Sequence, residues 1–156
     1  MFSAKTKKVT HLDTIKLMKR IKASQIKVGL PKSTSAKMHK DSDLSIAAIG
    51  AIHEFGSSDG KIPERSFIRT TIQAKRKDIK KLFHTETKKV IAGTQSVDKM
   101  MGKIGVLTSG AIQKTIVDLT DPANAPSTVS AKGSSNPLID SGQMRQSVTW
   151  ELVDAT

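Results

Sequence analysis

The residues of this chain that suit metal or acid–base chemistry are its histidines and the carboxylates near them. His53 and Glu54 form the first half of the His-Glu-x-x-His motif of zinc proteases, but Ser57 stands where the second histidine is required. The other histidines show no ligand spacing with carboxylates or with one another, and they are His11, His39 and His84. We therefore expect no metal and no cofactor, and we expect His53 and Glu54 to hydrogen-bond locally at a helix end.

Two serine–glycine pairs and one glycine-containing segment are the remaining candidates for catalysis or phosphate binding. The pairs at 109–110 and 141–142 lack the Gly-x-Ser-x-Gly frame of a nucleophile elbow. Segment 56–61 departs from a phosphate-binding loop because three residues separate its glycines instead of four, and Ile62 follows its lysine instead of serine or threonine. With no acid–base pair, nucleophile set or metal ligands in the sequence, we predict that the protein is not an enzyme.

The strongest charge feature is a basic run. Residues 1–90 hold 21 Lys and Arg against 8 Asp and Glu, whereas residues 91–156 hold 5 against 6, so the two parts carry +13 and −1. Such asymmetry indicates a basic face that meets an acidic partner, either nucleic acid or protein. The run itself comprises Lys75, Arg76, Lys77, Lys80 and Lys81, followed by Lys88 and Lys89.

Two interpretations of the basic run remain open. A solvated or subunit-contacting face of an amphipathic helix is the favoured one. The alternative is a stripe that contacts phosphates in a sequence-nonspecific nucleic-acid-binding protein. No interleaved aromatic residues, Asn/Gln pair or helix-turn-helix pattern accompanies the run, so any nucleic-acid contact would be blind to base sequence.

Apolar periodicity predicts the elements that position these groups, in one α+β domain over 1–156. A small antiparallel sheet packs against helices, two of which are long. The predicted strands cover 5–10, 25–31 and 147–153. The predicted helices cover 11–24 (capped by Thr10 or Asp13), 44–52 (capped by Asp43 and ended by Gly56), 65–91 and 96–119, with a helical turn near 144–145 capped by Asp140 or Ser141. Segments 31–42 and 120–137 are predicted to be long loops.

Composition adds three expectations. Hydrophobic residues make up only 37% of the chain, with four Phe, one Trp and no Tyr, so the core should be thin and some burial should come from partner subunits. There is no cysteine, which excludes disulfides and thiolate metal sites. No apolar run reaches the length that crosses a bilayer, so we expect no membrane partner.

The glycines of the second long helix, and a pair of arginines near the start of the first, each have two interpretations. Gly102, Gly105 and Gly110 weaken the second long helix and indicate either close packing against another helix or a kink. Arg65 and Arg69 lie one helical turn apart, beside Phe67, and arginine in such a place often pairs with a carboxylate. The pair would form across a subunit interface or inside the chain, and the candidate carboxylates are Glu54, Asp59, Glu64 and Asp140.

An ordered set of short motifs resembles the neck and tail-completion proteins of tailed bacteriophages, a group related to minor tail and tail-terminator proteins. The motifs are Val-Gly-Leu-Pro at 28–31, Ala-Ile-Gly-Ala-Ile-His-Glu-Phe-Gly at 48–56, Ile-Pro-Glu-Arg-Ser-Phe-Ile-Arg at 62–69, and the segments 119–122, 126–128 and 136–148. They follow the order of that family and span residues 26 to 153. Ser66 stands where the family usually has proline, and Ser141 where it usually has threonine.

The resemblance implies a structural virion protein of the neck or tail, assembled in the host cytoplasm. Its protomers would form a ring, commonly a hexamer, between the head connector and the tail tube or tail terminator, with genome DNA passing through the lumen. The residues implied in the docking corners are Glu54, Phe55, Gly56, Pro63, Arg65, Phe67, Arg69, Leu138, Asp140, Gly142 and Arg145. We expect substitution of Phe55 or Phe67 by alanine to disrupt folding or assembly.

Overall fold

The architecture is α+β, as the sequence predicts. The computed structural model describes residues 10–40 and 42–153. In this part of the chain a two-stranded antiparallel sheet accompanies seven helices. The elements are α1 (His11–Ala23), β1 (Gln25–Gly29), α2 (Lys32–Ser35), α3 (Ile46–Phe55), α4 (Phe67–Ile91), α5 (Val97–Asp118), α6 (Pro126–Lys132), α7 (Gln143–Ser147) and β2 (Thr149–Val153).

The central element is α5. It packs antiparallel against α4 on one side and contacts both strands on the other. Strands β1 and β2 pair in a register that sets Gln25 opposite Val153 and Gly29 opposite Thr149. The sheet therefore joins an early segment of the described chain to its last segment, and both strands contact α5.

Two apolar clusters hold these layers together. One gathers at the end of the molecule that contains α3 and α7, and its buried members are Ile46, Phe67, Ile112, Ile116, Leu138, Met144 and Val148. The other lies where α1 covers the α4–α5 hairpin, with Ile21, Val90, Val97, Met100, Met101 and Ile104 buried. Both are built almost wholly from aliphatic side chains and methionine, as the shortage of aromatic residues requires.

The structure corrects several predicted boundaries. Ser45, not Asp43, caps α3 by accepting a hydrogen bond from the Ala48 amide. Helix α3 is apolar on nearly every side and on that pattern should be buried; the structure leaves Ala51 and Phe55 exposed. Helix α7 is preceded by Gly142 in the left-handed conformation, rather than capped by the side chain of Asp140 or Ser141. In each case the cap depends on where the chain enters the helix, which a list of polar residues does not specify.

The two predicted loops are wrong in part, because each contains a helix. Segment 31–42 includes the single turn of α2, and segment 120–137 includes α6. Helix α6 begins with Pro126 and ends at Gly133, which has a left-handed conformation. This is the usual proline-first, glycine-last arrangement of a short helix. Residues 5–9 of the predicted strand over 5–10 lie outside the described residues. Thr10 and Asp13 form a capping box at the start of α1.

Gly102 and Gly105 allow the sheet to approach α5 closely, and the helix is continuous over Val97–Asp118. The indole of Trp150 in β2 lies across Gly102 and Gly105, and a Cβ added to Gly105 would come within 2.4 Å of the Trp150 ring. At Gly110, no atom of the described residues lies within 4 Å of the corresponding position. The interpretation as close packing is therefore correct for the first two glycines, although the packed element is a strand rather than a helix.

This difference predicts opposite outcomes for the same substitution. Gly105→Ala should lower the free energy of unfolding by about 1–2 kcal/mol, because overpacking against the root of the indole outweighs the gain in helix propensity. Gly110→Ala should raise it by about 0.5–1 kcal/mol through helix propensity alone. Urea unfolding of the two variants measures both effects. Equal effects of the two substitutions would contradict the Trp150 contact.

A buried carboxylate ties α4 to α5. Glu86 is 3% exposed, and its carboxylate accepts hydrogen bonds from the ammonium groups of Lys103 on α5 and Lys89 on α4. These two donors lower the pKa of Glu86 from its ordinary value of 4.5 to about 2. Because the folded-state pKa is the lower one, the stability that Glu86 provides is complete above the unfolded-state pKa and is lost as the pH falls towards the folded-state value.

In a Glu86→Gln variant, the free energy of unfolding should depend less steeply on pH in the acid range. Between pH 5 and pH 3, the free energy of unfolding of the parent protein should fall more steeply than that of the variant. The difference isolates Glu86 from the other carboxylates that titrate in this range. Urea titrations at several pH values supply the two slopes, and parallel slopes would show that Glu86 has an ordinary pKa.

None of the helices described is both long and apolar enough to cross a membrane.

Candidate functional site

The motif residues at 53–69 form a hydrogen-bonded corner between α3 and α4. We call the last turn of α3, the loop 56–66 and the first turn of α4 the α3–α4 corner. Its central group is Glu54, which is 3% exposed. The Glu54 carboxylate accepts hydrogen bonds from the Ile68 amide (2.8 Å), the Arg69 amide (3.0 Å) and the Ser66 hydroxyl (2.8 Å). A side chain of another helix, Glu54, thus caps the first turn of α4. The N-cap residue Ser66 makes no cap hydrogen bond of its own within the described residues.

The environment of Glu54 favours its charged form. Burial raises the pKa of the Glu54 carboxyl, but the hydrogen bonds from the Ile68 and Arg69 amides, from Ser66 and from the Arg69 guanidinium lower it by more in total. The net pKa lies below the ordinary value for glutamate. Glu54 is therefore an anion at neutral pH, placed at the positive end of the α4 dipole.

Arg69 closes the corner from outside. Its Nε donates to the Glu54 carboxylate (3.0 Å), and its Nη2 donates to the Glu54 carbonyl (2.8 Å) and to the Glu64 carboxylate (2.8 Å). The guanidinium also lies 4.7 Å from the centre of the Phe55 ring. Of the two open interpretations of Arg69, the pairing inside the chain is the one in this structure.

The loop of the corner needs a glycine at its start. Gly56 has φ of +79°, and a Cβ there would meet the Ile62 carbonyl oxygen and the Glu64 amide nitrogen at 3.2 Å. The Ser57 amide donates to the same Ile62 carbonyl at 2.9 Å, which folds the loop back on itself. Gly56 therefore ends α3, as predicted, and turns the chain towards Pro63, which is exposed on the far side of the loop.

Arg65 pairs with no carboxylate of the described residues, so the alternative of a salt bridge inside the chain is not the one in this part of the structure. Arg65 is 4% exposed, and its guanidinium donates to backbone carbonyls, from Nε to Pro122 (2.7 Å) and from Nη2 to Ala123 (2.9 Å). Its Nη1 lies 3.5 Å from Nδ1 of His53. Two of the predicted carboxylate partners lie elsewhere: Asp59 pairs with Lys61, and Asp140 lies 3.9 Å from His39.

The second motif, about eighty residues away in sequence, meets the first in the core. Leu138 is 5% exposed and belongs to the same cluster as Phe67, which is fully buried. The side chain of Asn136 holds this segment by accepting hydrogen bonds from the Leu138 and Ile139 amides (2.9 and 3.0 Å). The other predicted residues of this motif are at the surface or in the turn before α7, with Asp140 and Arg145 exposed and Gly142 at the N-cap.

The structure divides the predicted basic run. Helical spacing places four of its cations on the face of α4 opposite the buried residues, and all four are exposed: Arg76, Lys77, Lys80 and Lys81. None of the four makes an ion pair with any residue of the described ranges. Lys75 points to another side of the helix and pairs with Asp78 at 3.3 Å.

Sequence reasoning missed the groups that surround Arg65. Arg65 is bonded to the carbonyls of 122–123, and it lines one cavity together with His53, Ala123 and Lys132 on α6. Backbone carbonyls leave no signal in residue types, and α6 was predicted to be loop. The proline pair at 122 and 126 was the only local sign that this segment has a defined conformation.

Among the described residues, no three side chains of the metal-ligating types gather at one place. Comparisons with protein-family models, with curated proteins and with solved structures find no match to this chain.

Proposed function

We propose that this chain is a structural assembly protein of a tailed bacteriophage, a neck or tail-completion subunit that forms a ring joining the head connector to the tail. The observation that carries the proposal is the α3–α4 corner. The motif residues that resemble the phage family are used there for hydrogen bonding and packing, and they present Phe55 at the surface with 65% of its area exposed.

Exposed apolar side chains give the proposed ring surfaces to bury. Besides Phe55, Val106 is 62% exposed and Val117 43% exposed on the outer side of α5. Large aliphatic and aromatic side chains at this exposure suit contacts with further copies or neighbouring virion proteins. A chain of low hydrophobic content would gain part of its stability from such contacts.

The first test is the mass of the assembly in solution. Mass photometry of the purified chain, alone and with the connector and tail-tube proteins of the same phage, should detect a closed ring or a monomer that assembles only on those complexes. A monomer that ignores both complexes would contradict the proposal.

The second candidate function is sequence-nonspecific nucleic-acid binding through the exposed face of α4. Its supporting observation is the set of four exposed cations described above, which make no ion pair within the described residues and could contact phosphates without reading bases. Duplex binding measured over a range of salt concentrations tests it. A steep salt dependence that becomes shallower in a Lys77→Gln, Lys80→Gln double variant, but not in Lys114→Gln, would support this function. A weak salt dependence shared by all three proteins would exclude it.

A further inference from the structure

An open cavity of about 620 Å³ lies beside the α3–α4 corner. Its walls come from α3, from the segment 123–125 and from α6. The charged and titratable side chains that line it are His39, His53, Lys61, Arg65, Lys132 and Asp140. We call this space the α3–α6 cavity. Lys61 pairs with Asp59, which leaves Arg65 and Lys132 as two cations against the one lining carboxylate, Asp140, so the net charge is positive.

The charge of Arg65 is held in the cavity wall without a counter-ion. Backbone carbonyls occupy its Nε and Nη2, and they stabilise the guanidinium by their dipoles without neutralising it. The third nitrogen, Nη1, has only a long contact of 3.5 Å to the His53 ring. A buried cation usually has a carboxylate or phosphate partner. Arg65 has neither among the described residues.

Lys132 adds a second cation to the same space. It is half-buried, and its ammonium donates one hydrogen bond, of 3.3 Å, to the Asn136 carbonyl. Burial lowers the pKa of Lys132; Asp140 opposes this shift and the Arg65 charge adds to it. The ammonium has three donors, so capacity for an acceptor remains after the bond to Asn136.

The positive charges of Arg65 and Lys132 also act on His53. Burial, followed by the positive charges of Arg65 and Lys132, lowers the pKa of His53 to about 4. The imidazole is therefore neutral at pH 7. If its Nδ1 accepts from Arg65, its Nε2 carries the proton and is a further donor. Three donor groups thus face a space in which positive charges repel one another.

We propose that the α3–α6 cavity binds a carboxylate of a protein partner, held by Lys132 and by Arg65 Nη1 beside the His53 ring. A carboxylate carried on an Asp or Glu side chain, or at a chain end, can enter a concave site and accept from two neighbouring donors. A phosphate of duplex DNA lies on a convex surface and enters less easily. The proposal does not depend on the ring assembly and applies to any protein partner.

The experiment is an NMR titration of the full chain at pH 7 with sodium acetate as the probe, compared with sodium chloride at the same ionic strength. Acetate should shift the Arg65 Nε–H and His53 ring signals saturably, and chloride should not. Lys132→Gln should weaken acetate binding by about tenfold or more, since it removes one charge-assisted hydrogen bond. The matched control Lys114→Gln removes an exposed lysine on α5 that pairs with Asp118, and it should leave the affinity unchanged.

Inorganic phosphate and a nonspecific DNA duplex are the two comparison probes. A failure of acetate to bind would overturn the site. The same conclusion would follow if Lys132→Gln bound acetate as tightly as the parent protein while its amide spectrum showed an intact fold. Stronger binding of phosphate or duplex than of acetate, at the same signals, would overturn the carboxylate assignment and identify a phosphate ligand.

Discussion

Replacing Glu54 with alanine is expected to lower the free energy of unfolding by about 2–4 kcal/mol, because it removes the side-chain cap of α4 and the shared acceptor of several part-buried donors. The variant would leave the Ile68 and Arg69 amides and the Ser66 hydroxyl without their acceptor, and it would strip the start of α4 of its only side-chain cap. Urea unfolding followed by circular dichroism measures the change.

Two further variants separate the causes. Glu54→Gln keeps the shape but removes the charge and turns an amide donor towards existing donors, so it should also be strongly destabilising. Glu64→Ala removes only an exposed partner of Arg69 and should cost less than about 1 kcal/mol. If Glu54→Ala and Glu64→Ala had similar costs, Glu54 would not be the group that holds the corner.

The pH dependence of the Glu54 contribution has a defined sign. Because its pKa is lowered in the folded state, the stability that Glu54 provides is present above the unfolded-state pKa and declines as the pH falls through the folded-state pKa. The difference in stability between the parent protein and Glu54→Gln should therefore shrink on acidification. A constant difference would mean that the carboxyl does not titrate with folding.

Phe67→Ala is expected to cost about 3–5 kcal/mol, as truncation of a fully buried phenylalanine does. Phe67 is 0% exposed in the cluster that unites α3, α5 and α7 with the second motif. Phe55→Ala should cost less than about 1 kcal/mol, because Phe55 is 65% exposed and its one specific contact is the Arg69 guanidinium over its ring. Thermal or urea unfolding distinguishes the two variants.

The pair also separates folding from assembly. Under the proposed function, Phe55→Ala should remain folded and fail to assemble, whereas Phe67→Ala should be defective because its fold is unstable. If folded Phe55→Ala protein still formed rings and infectious particles, Phe55 would not be part of the docking surface. A stable Phe67→Ala protein would contradict the core in which the two motifs meet.

The elements that depend on local pattern were predictable. Helices α1, α4 and α5 and strands β1 and β2 all lie within two residues of their predicted bounds. A stripe of apolar residues at helical spacing, or alternation along a strand, has few alternative conformations that would bury it. The termini of the short helices were less predictable, since Asp43, Ser45 and Ser42 are all suitable cap residues and only the path of the chain selects Ser45.

The α+β class, the two long helices and the basic face of α4 could be predicted from the sequence, because each depends on residue periodicity within single segments. The packing of distant segments was needed to show that Glu54 caps α4 from a neighbouring helix, that Arg65 is held by the carbonyls of 122–123, and that Leu138 meets Phe67. Those contacts join residues distant in sequence, and one of them uses backbone atoms that every residue has. Their partners are therefore set by how the elements pack, which residue types alone do not specify.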